Sequence, residues 1–348
     1  MQFITRCQKI LLGLAFIACL ATPGVAEAAT FTWNVTTGVW QTAGSWLNGT
    51  VPADSTSTDT ALFSGASGSQ TATLNANRSI AGLTFSGAGT KSITSDSTTA
   101  RVLTIGSTGI TGSADSGAIT LGNATNPLNL EISAGQSWTN NSSSLLSVLG
   151  TVRPSNSTSG TDTLTVTGSG NTTLSGALNN NSSRILALTK TGAGTLTLSA
   201  STASTYTGTT SINGGTLALD FANLATATNL LSASSPLAFG GGSLTVKGKS
   251  SGATSQTFAG TTLSAGGGSL LVDPNGGTST TVALGALSGT STAGVSFLVG
   301  TASGGDNTKV TITTTSGTDA QGIYGGRVVY ANGSAAGYDW ATTSSGAS

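Results

Sequence analysis

From Phe31 onward, apolar residues fall at every second position over short stretches, and Gly, Ser, Asn or Asp closes each stretch. Leu83-Thr84-Phe85, Leu103-Thr104-Ile105, Leu128-Asn129-Leu130-Glu131-Ile132 and Leu164-Thr165-Val166 set the pattern. Leu196-Thr197-Leu198, Leu217-Ala218-Leu219 and Leu244-Thr245-Val246 continue it. Residues at i and i+2 share one face of an extended chain, so the apolar set turns inward and the intervening Thr outward. Thr is β-branched and holds an extended backbone on a solvated face. Such strands recur about every ten to twenty residues, with Gly or Asn-Gly in the gaps. No stretch of ten or more residues keeps a helical period; Phe221–Leu231 is the best candidate for one short helix.

Two architectures accommodate many short strands. A sandwich needs a thick core of aromatics and long aliphatics from both sheets, and this chain has too few large residues. A parallel β-helix buries only a thin strip per coil and pairs each strand with its counterpart one coil away. The expected fold class is therefore all-β, a single-stranded parallel β-helix (β-solenoid), right-handed by the rule for parallel crossovers. At roughly 20–25 residues per coil, as for repeat units generally, the chain holds about 13–16 coils.

The segment from Met1 to Ala28 reads differently. Arg6 and Lys9 give a positive start, Ile10 to Leu20 is apolar apart from Gly13, and Ala26-Glu27-Ala28 is a small-x-small cleavage site. That is the layout of a secretory signal peptide. The apolar stretch is about half of the ~20 residues that a membrane span needs. A lipid-attachment site at Cys19 would have Leu where Phe16 stands. Both cysteines, Cys7 and Cys19, fall in the leader, so the exported chain relies on burial and backbone pairing without disulfides.

At Leu188 the sequence reads LTKTGAGTLTLSASTASTYTGTTSINGGTLAL. Its Leu188, Lys190, Gly192, Gly194, Thr195, Leu196, Thr197 and Leu198, followed by Thr205, Tyr206, Thr207, Gly208, Thr210, Ile212, Asn213, Gly215, Thr216 and Leu217, resemble the autotransporter-associated β-strand repeat, also called the passenger-associated transport repeat. Ser204 and Thr209 depart from that pattern, which often has Asn and Gly there. Ile80–Phe85, Gln136–Asn141, Ser255–Gly260 and Leu284–Leu287 are similar to segments that flank such repeats, and the spaced Trp33, Trp40 and Trp46 look like the start of such passengers. The resemblance implies a secreted or surface-displayed β-helix of a Gram-negative-type bacterium, and it supplies no catalytic mechanism. It also implies a C-terminal membrane barrel or anchor, which is missing here, so a truncated passenger is expected. We divide the chain into a signal peptide (1–28), an N-terminal cap with the first coils and a Trp cluster (29–75), and a β-helix passenger (76–348) with one clear repeat at 188–219.

Within the repeat itself, Gly192 and Gly194 permit a tight corner, Leu196, Leu198 and Leu217 fill the core, and Asn213-Gly214-Gly215 allows positive φ at the next corner. Lys190 and Tyr206 are expected at the coil rim.

Composition narrows the chemistry. Of 348 residues 63 are Thr and 50 are Gly, there is no His, and the only Glu are Glu27 and Glu131. Without His there is no imidazole base, no Ser-His pair and no His metal ligand. Once the leader is removed, 10 basic and 11 acidic residues remain, scattered without runs. Nucleic acid and anionic membranes both need a basic stripe, so neither is an expected partner. Asp54, Asp59 and Asp96 lie in Ser/Thr-rich turns, where Asp bonds its own backbone. The GGxGxD calcium repeat is absent, and Gly304-Gly305-Asp306 is a single echo of it. Asp162, Asp220 and Asp273 are each more than fifty residues from the next, which argues against a paired-carboxylate enzyme unless coil stacking unites distant acids. The Asn-x-Ser/Thr triplets at Asn34, Asn48, Asn123 and Asn171 are what abundant Asn and Thr give by chance. Trp33, Trp40 and Trp46 read either as a sugar-stacking platform or as a cap over the first coil, and an uncapped β-helix would expose strand edges. We therefore expect no enzyme and no cofactor or metal, but an exported structural or adhesive passenger that contacts surface glycans or other cells. The alternative is a glycan-binding or glycan-degrading β-helix.

Overall fold

A computed structural model describes residues 28–65, 68–96, 100–125, 127–289, 297–302, 306–316, 328–331 and 338–340. The leader expected at 1–28 therefore lies outside the described residues except for Ala28, as does most of the segment after Ser316. The chain winds into a parallel β-solenoid of about ten turns. Two sheets of thirteen strands run its length. The first starts at Ala29–Thr32 and ends at Leu287–Gly289; the second starts at Thr37–Val39 and ends at Tyr338–Trp340. A third row of pairings joins Arg78–Phe85, Arg101–Gly112, Leu128–Ile132 and Val152–Pro154, and a separate three-stranded sheet unites Ala253–Thr257, Ser279–Ala283 and Val310–Thr313. Among the described residues, strand pairs are parallel up to the last, where Tyr338–Trp340 returns antiparallel along Val328–Ala331.

Register explains why so thin a core suffices. In the second sheet Ile93, Leu121, Val148, Leu174, Leu198, Leu219, Val246 and Val272 pair in succession, one per turn, and all are buried. Their neighbours Ser92, Thr120, Ser147, Thr173 and Thr197 form a parallel column on the outer face. Each buried Leu, Ile or Val contributes roughly 1.5–3 kcal/mol over exposure, so a single inward column adds up along the stack.

Turns are longer and less even than the sequence suggests. Thr71 meets Ser92 one turn on, a short step, whereas Thr37 meets its partner only at Thr71. Longer connections reduce the expected 13–16 coils to about ten. The expected short helix at Phe221–Leu231 does not form either. Phe221, Leu224, Leu230 and Leu231 are buried from within a turn. The backbone there is tied to adjacent turns by Ala225 N–H to Ser201 O at 2.9 Å and Asn229 N–H to Ser255 O at 2.8 Å. Pairing with neighbouring turns has displaced the local hydrogen bonds a helix would need.

Turns stack so closely that several glycines are obligatory for space. A Cβ on Gly194 would lie 2.0 Å from the Gly170 carbonyl oxygen, whereas one on Gly44 would meet nothing within 4 Å. Gly194→Ala is expected to destabilise the chain by about 1–3 kcal/mol, the usual cost of overpacking, and Gly44→Ala to leave it unchanged. Equal melting temperatures for the two variants would contradict this stacking.

Candidate functional site

Stacking brings together charged groups that lie far apart in sequence. Ser79, Thr104, Glu131 and Arg153 are register partners on four successive strands of the third row. With Asp54, Asn77, Arg78 and Val102 they line a groove of about 300 Å³. The segment before Asp59 forms one wall: Asp54 accepts the Ser79 N–H through Oδ1 at 2.5 Å and pairs through Oδ2 with Arg78 Nη1 at 3.5 Å. Asn77 accepts the Val102 N–H at 2.9 Å. Across the groove, Arg153 donates from Nε at 2.9 Å and from Nη2 at 2.7 Å, both to Glu131 Oε1. The Glu131 side chain is 14% exposed and that of Arg153 48%. Arg78 Nε is buried without a hydrogen-bond partner. The acids are dispersed along the sequence, yet here the solenoid places each opposite a cation from another turn. The lining positions are separated by nearly whole turns, a spacing that only the register reveals.

Other charges pair across turns in the same way. Arg184 forks onto both oxygens of Asp162, a bond that raises its guanidinium pKa. Lys247 stands in register between Asp220 and Asp273. Among the described residues, no group of three or more His, Cys, Asp or Glu gathers to hold a metal.

Trp33, Trp40 and Trp46 come together at the first turn, each 1% exposed. Trp46 crosses Trp33 edge-on at 5.1 Å and Trp40 at 4.9 Å, and donates its indole N–H to the Trp40 carbonyl at 2.7 Å. Trp33, Phe63 and Phe85 stack one above another at 5.6 and 5.3 Å. At that burial no ring face is left open for a sugar. Trp46→Ala is expected to cost about 3–5 kcal/mol, the range for a buried aromatic; an unchanged melting temperature would rule out this packing.

The repeat residues are structural in placement. Gly192 and Gly215 adopt positive φ, +68° and +59°, and a Cβ on Gly208 would strike the Leu186 carbonyl at 2.3 Å. Leu196, Leu198 and Leu217 are buried, and the Asn213 N–H donates to the Lys190 carbonyl at 2.8 Å. A Cβ on Gly214 would lie 3.4 Å from the Gly192 nitrogen, an ordinary contact. Lys190 and Tyr206, expected at the rim, are instead buried. Lys190 Nζ donates to the carbonyls of Thr191, Gly192 and Gly214. Lys91 does the same for Gly87 and Gly89 from the opposite side of an equivalent corner. Inward carbonyls of a Gly-Ala-Gly corner need donors, and a lysine on either flank supplies them. Tyr206 OH meets Thr210 Oγ1 at 2.6 Å, which meets Ser235 Oγ at 3.1 Å, giving the buried phenol its partners.

Set on this solenoid, residues 188–219 match the family model of the passenger-associated transport repeat. The repeat and the parallel β-solenoid together fit an autotransporter passenger repeat protein. Such a repeat suggests export to the cell surface and a structural role. No curated protein and no solved structure matches the chain. No helix among the described residues is long and apolar enough to cross a membrane.

Desolvation lowers the Lys190 pKa from 10.5 to about 8. Between those values the unfolded chain binds more protons than the folded one. Stability therefore rises with pH across that window, and below it the full cost of the buried ammonium is felt. Tyr206, raised to about 12 by burial, opposes the trend above pH 10. Thermal melts should show the wild type gaining on Lys190→Met between about pH 8 and 10. A constant difference across that window would contradict the buried ammonium.

Proposed function

We propose that the chain is an exported, surface-displayed passenger with a structural or adhesive role and no catalytic activity. The observation that carries this reading is the uninterrupted column of outward Ser and Thr, from Ser92 to Thr197, running turn after turn along the second sheet. Alongside it, Leu47 and Leu145 are the large exposed hydrophobics among the described residues. A column of hydroxyls without charges in it suits many weak contacts with surface glycans or other cells, and multivalency converts weak contacts into firm attachment. The Trp cluster serves as the cap of the first turn. The groove favours glycan binding as a second reading. Glycan cleavage needs a proton donor opposite a base, and both groove carboxylates are already engaged by arginines, which supports binding without cleavage.

Leu174 and Leu198 are register partners, and so are Leu198 and Leu219. Deleting residues 175–198 removes one turn and deleting 175–219 removes two, each with its register kept. Cells displaying these variants are expected to lose attachment in steps that follow the number of turns. Complete loss on removing a single turn, with export and folding intact, would replace the distributed surface by a discrete site.

A further inference from the structure

We infer that the groove at Asp54, Arg78, Glu131 and Arg153 binds a neutral saccharide through a vicinal diol. This deepens the glycan-binding reading, on which it rests, and stands apart from the distributed-contact one. Three features select the ligand. First, the lining carries two carboxylates and two guanidiniums, so it offers no net charge to an ion. An anion would have to compete with Asp54 or Glu131 for their arginines, and a cation with the arginines for the acids. Second, the pairing leaves capacity unspent. Arg153 places both of its bonds on Glu131 Oε1, so neither Glu131 Oε2 nor Arg153 Nη1 is used by the pair. Asn77 uses its oxygen on the Val102 N–H, which leaves its amide Nδ2 to donate. Third, Val102 is the one apolar side chain in the lining, so the ligand is met almost wholly by polar groups.

Unspent acceptors and donors side by side are what adjacent hydroxyls require, since each hydroxyl both donates and accepts. Glu131 Oε2 accepts from the diol, while Arg153 Nη1 and the Thr104 hydroxyl donate to it. Charged partners make these the stronger hydrogen bonds of the groove. Its volume sits at the lower end of ligand pockets, which suits a short saccharide. With no aromatic ring in the lining, binding at one groove is weak, and display of many copies on one surface supplies avidity.

The test is a ligand-observed NMR titration of the full chain with maltose, lactose and methyl α-mannoside, set against glucuronic acid and inorganic phosphate. At least one neutral sugar should bind saturably. Glu131→Gln and Thr104→Val should each weaken it, the former about tenfold or more, as expected for losing a charged hydrogen bond, with melting temperatures kept. Asp220→Asn, in a cross-turn pair on another sheet, should have no effect. Should Glu131→Gln fail to fold, Thr104→Val alone decides, because its β-branched replacement keeps the outer face of the strand. No binding of any neutral sugar, preference for glucuronic acid or phosphate, or equal affinity of the groove variants and Asp220→Asn would overturn the inference. If sugar binding is absent while attachment still falls stepwise with deleted turns, the groove inference alone has failed.

Discussion

Everything in this molecule depends on parallel, in-register pairing of each strand with its counterpart one turn away. Strands in such a stack lie about 4.8 Å apart, so whatever a position carries is met almost at once by what the next turn carries there. Apolar residues then fall into an inward ladder and hydroxyls into an outward one, as along Ile93 to Val272 and Ser92 to Thr197. A thin core suffices because it is continuous along the axis. The same closeness makes glycine a spatial necessity at corners, where Gly194 sits over the Gly170 carbonyl.

Close stacking also turns corner carbonyls inward, where they are partly shielded from water. The chain answers with buried polar side chains beside the corner between the two long sheets. Gln70 spans from the Gly65 N–H to the Trp33 carbonyl, and Asn140 donates to the Ser144 and Asn171 carbonyls. Lys91 and Lys190 do the same with charged ends. Burying an ammonium costs free energy, seen in the lowered pKa of both lysines. Leaving several carbonyls unpaired would cost more. Asparagine serves the outer edges: the side-chain oxygens of Asn77, Asn129, Asn171 and Asn179 accept N–H groups from the following turn. The Asn171 triplet, which chance would explain, thus has a structural use.

What the sequence reveals and what it hides follow from the same constraint. Alternation, Gly corners and a sparse apolar strip are local features, and on their own they point to a β-solenoid. Turn length is not local. The first turn of the second sheet, from Thr37 to Thr71, is long because the chain detours to lay Trp46 against Trp33 and Trp40, and such detours lower the turn count. Lys190 and Tyr206 read as surface residues because their polar ends suit water; the carbonyls and hydroxyls that claim them come from corners and neighbouring turns. The groove is hidden more deeply, since Ser79, Thr104, Glu131 and Arg153 are joined by steps of unequal length that no fixed repeat period would pick out.

Stacking also accounts for the scarcity of charge. A repeated charge would face its like across a strand gap, which is destabilising. Charges are tolerated where the next turn offers the opposite sign, as in Asp54 with Arg78, Glu131 with Arg153, Asp162 with Arg184 and Asp220 with Lys247. Each exposed pair contributes little to stability, about 0–1 kcal/mol, so their value is in matching turns to one another and rejecting slipped registers. The groove arises where the Glu131–Arg153 pair lies on the same row as Arg78, which is met by Asp54 from the segment before Asp59, with hydroxyls between the two pairs. A device that keeps the solenoid in register thereby leaves a concave polar surface on the wall, and its unspent hydrogen-bonding groups are the ones a ligand would find.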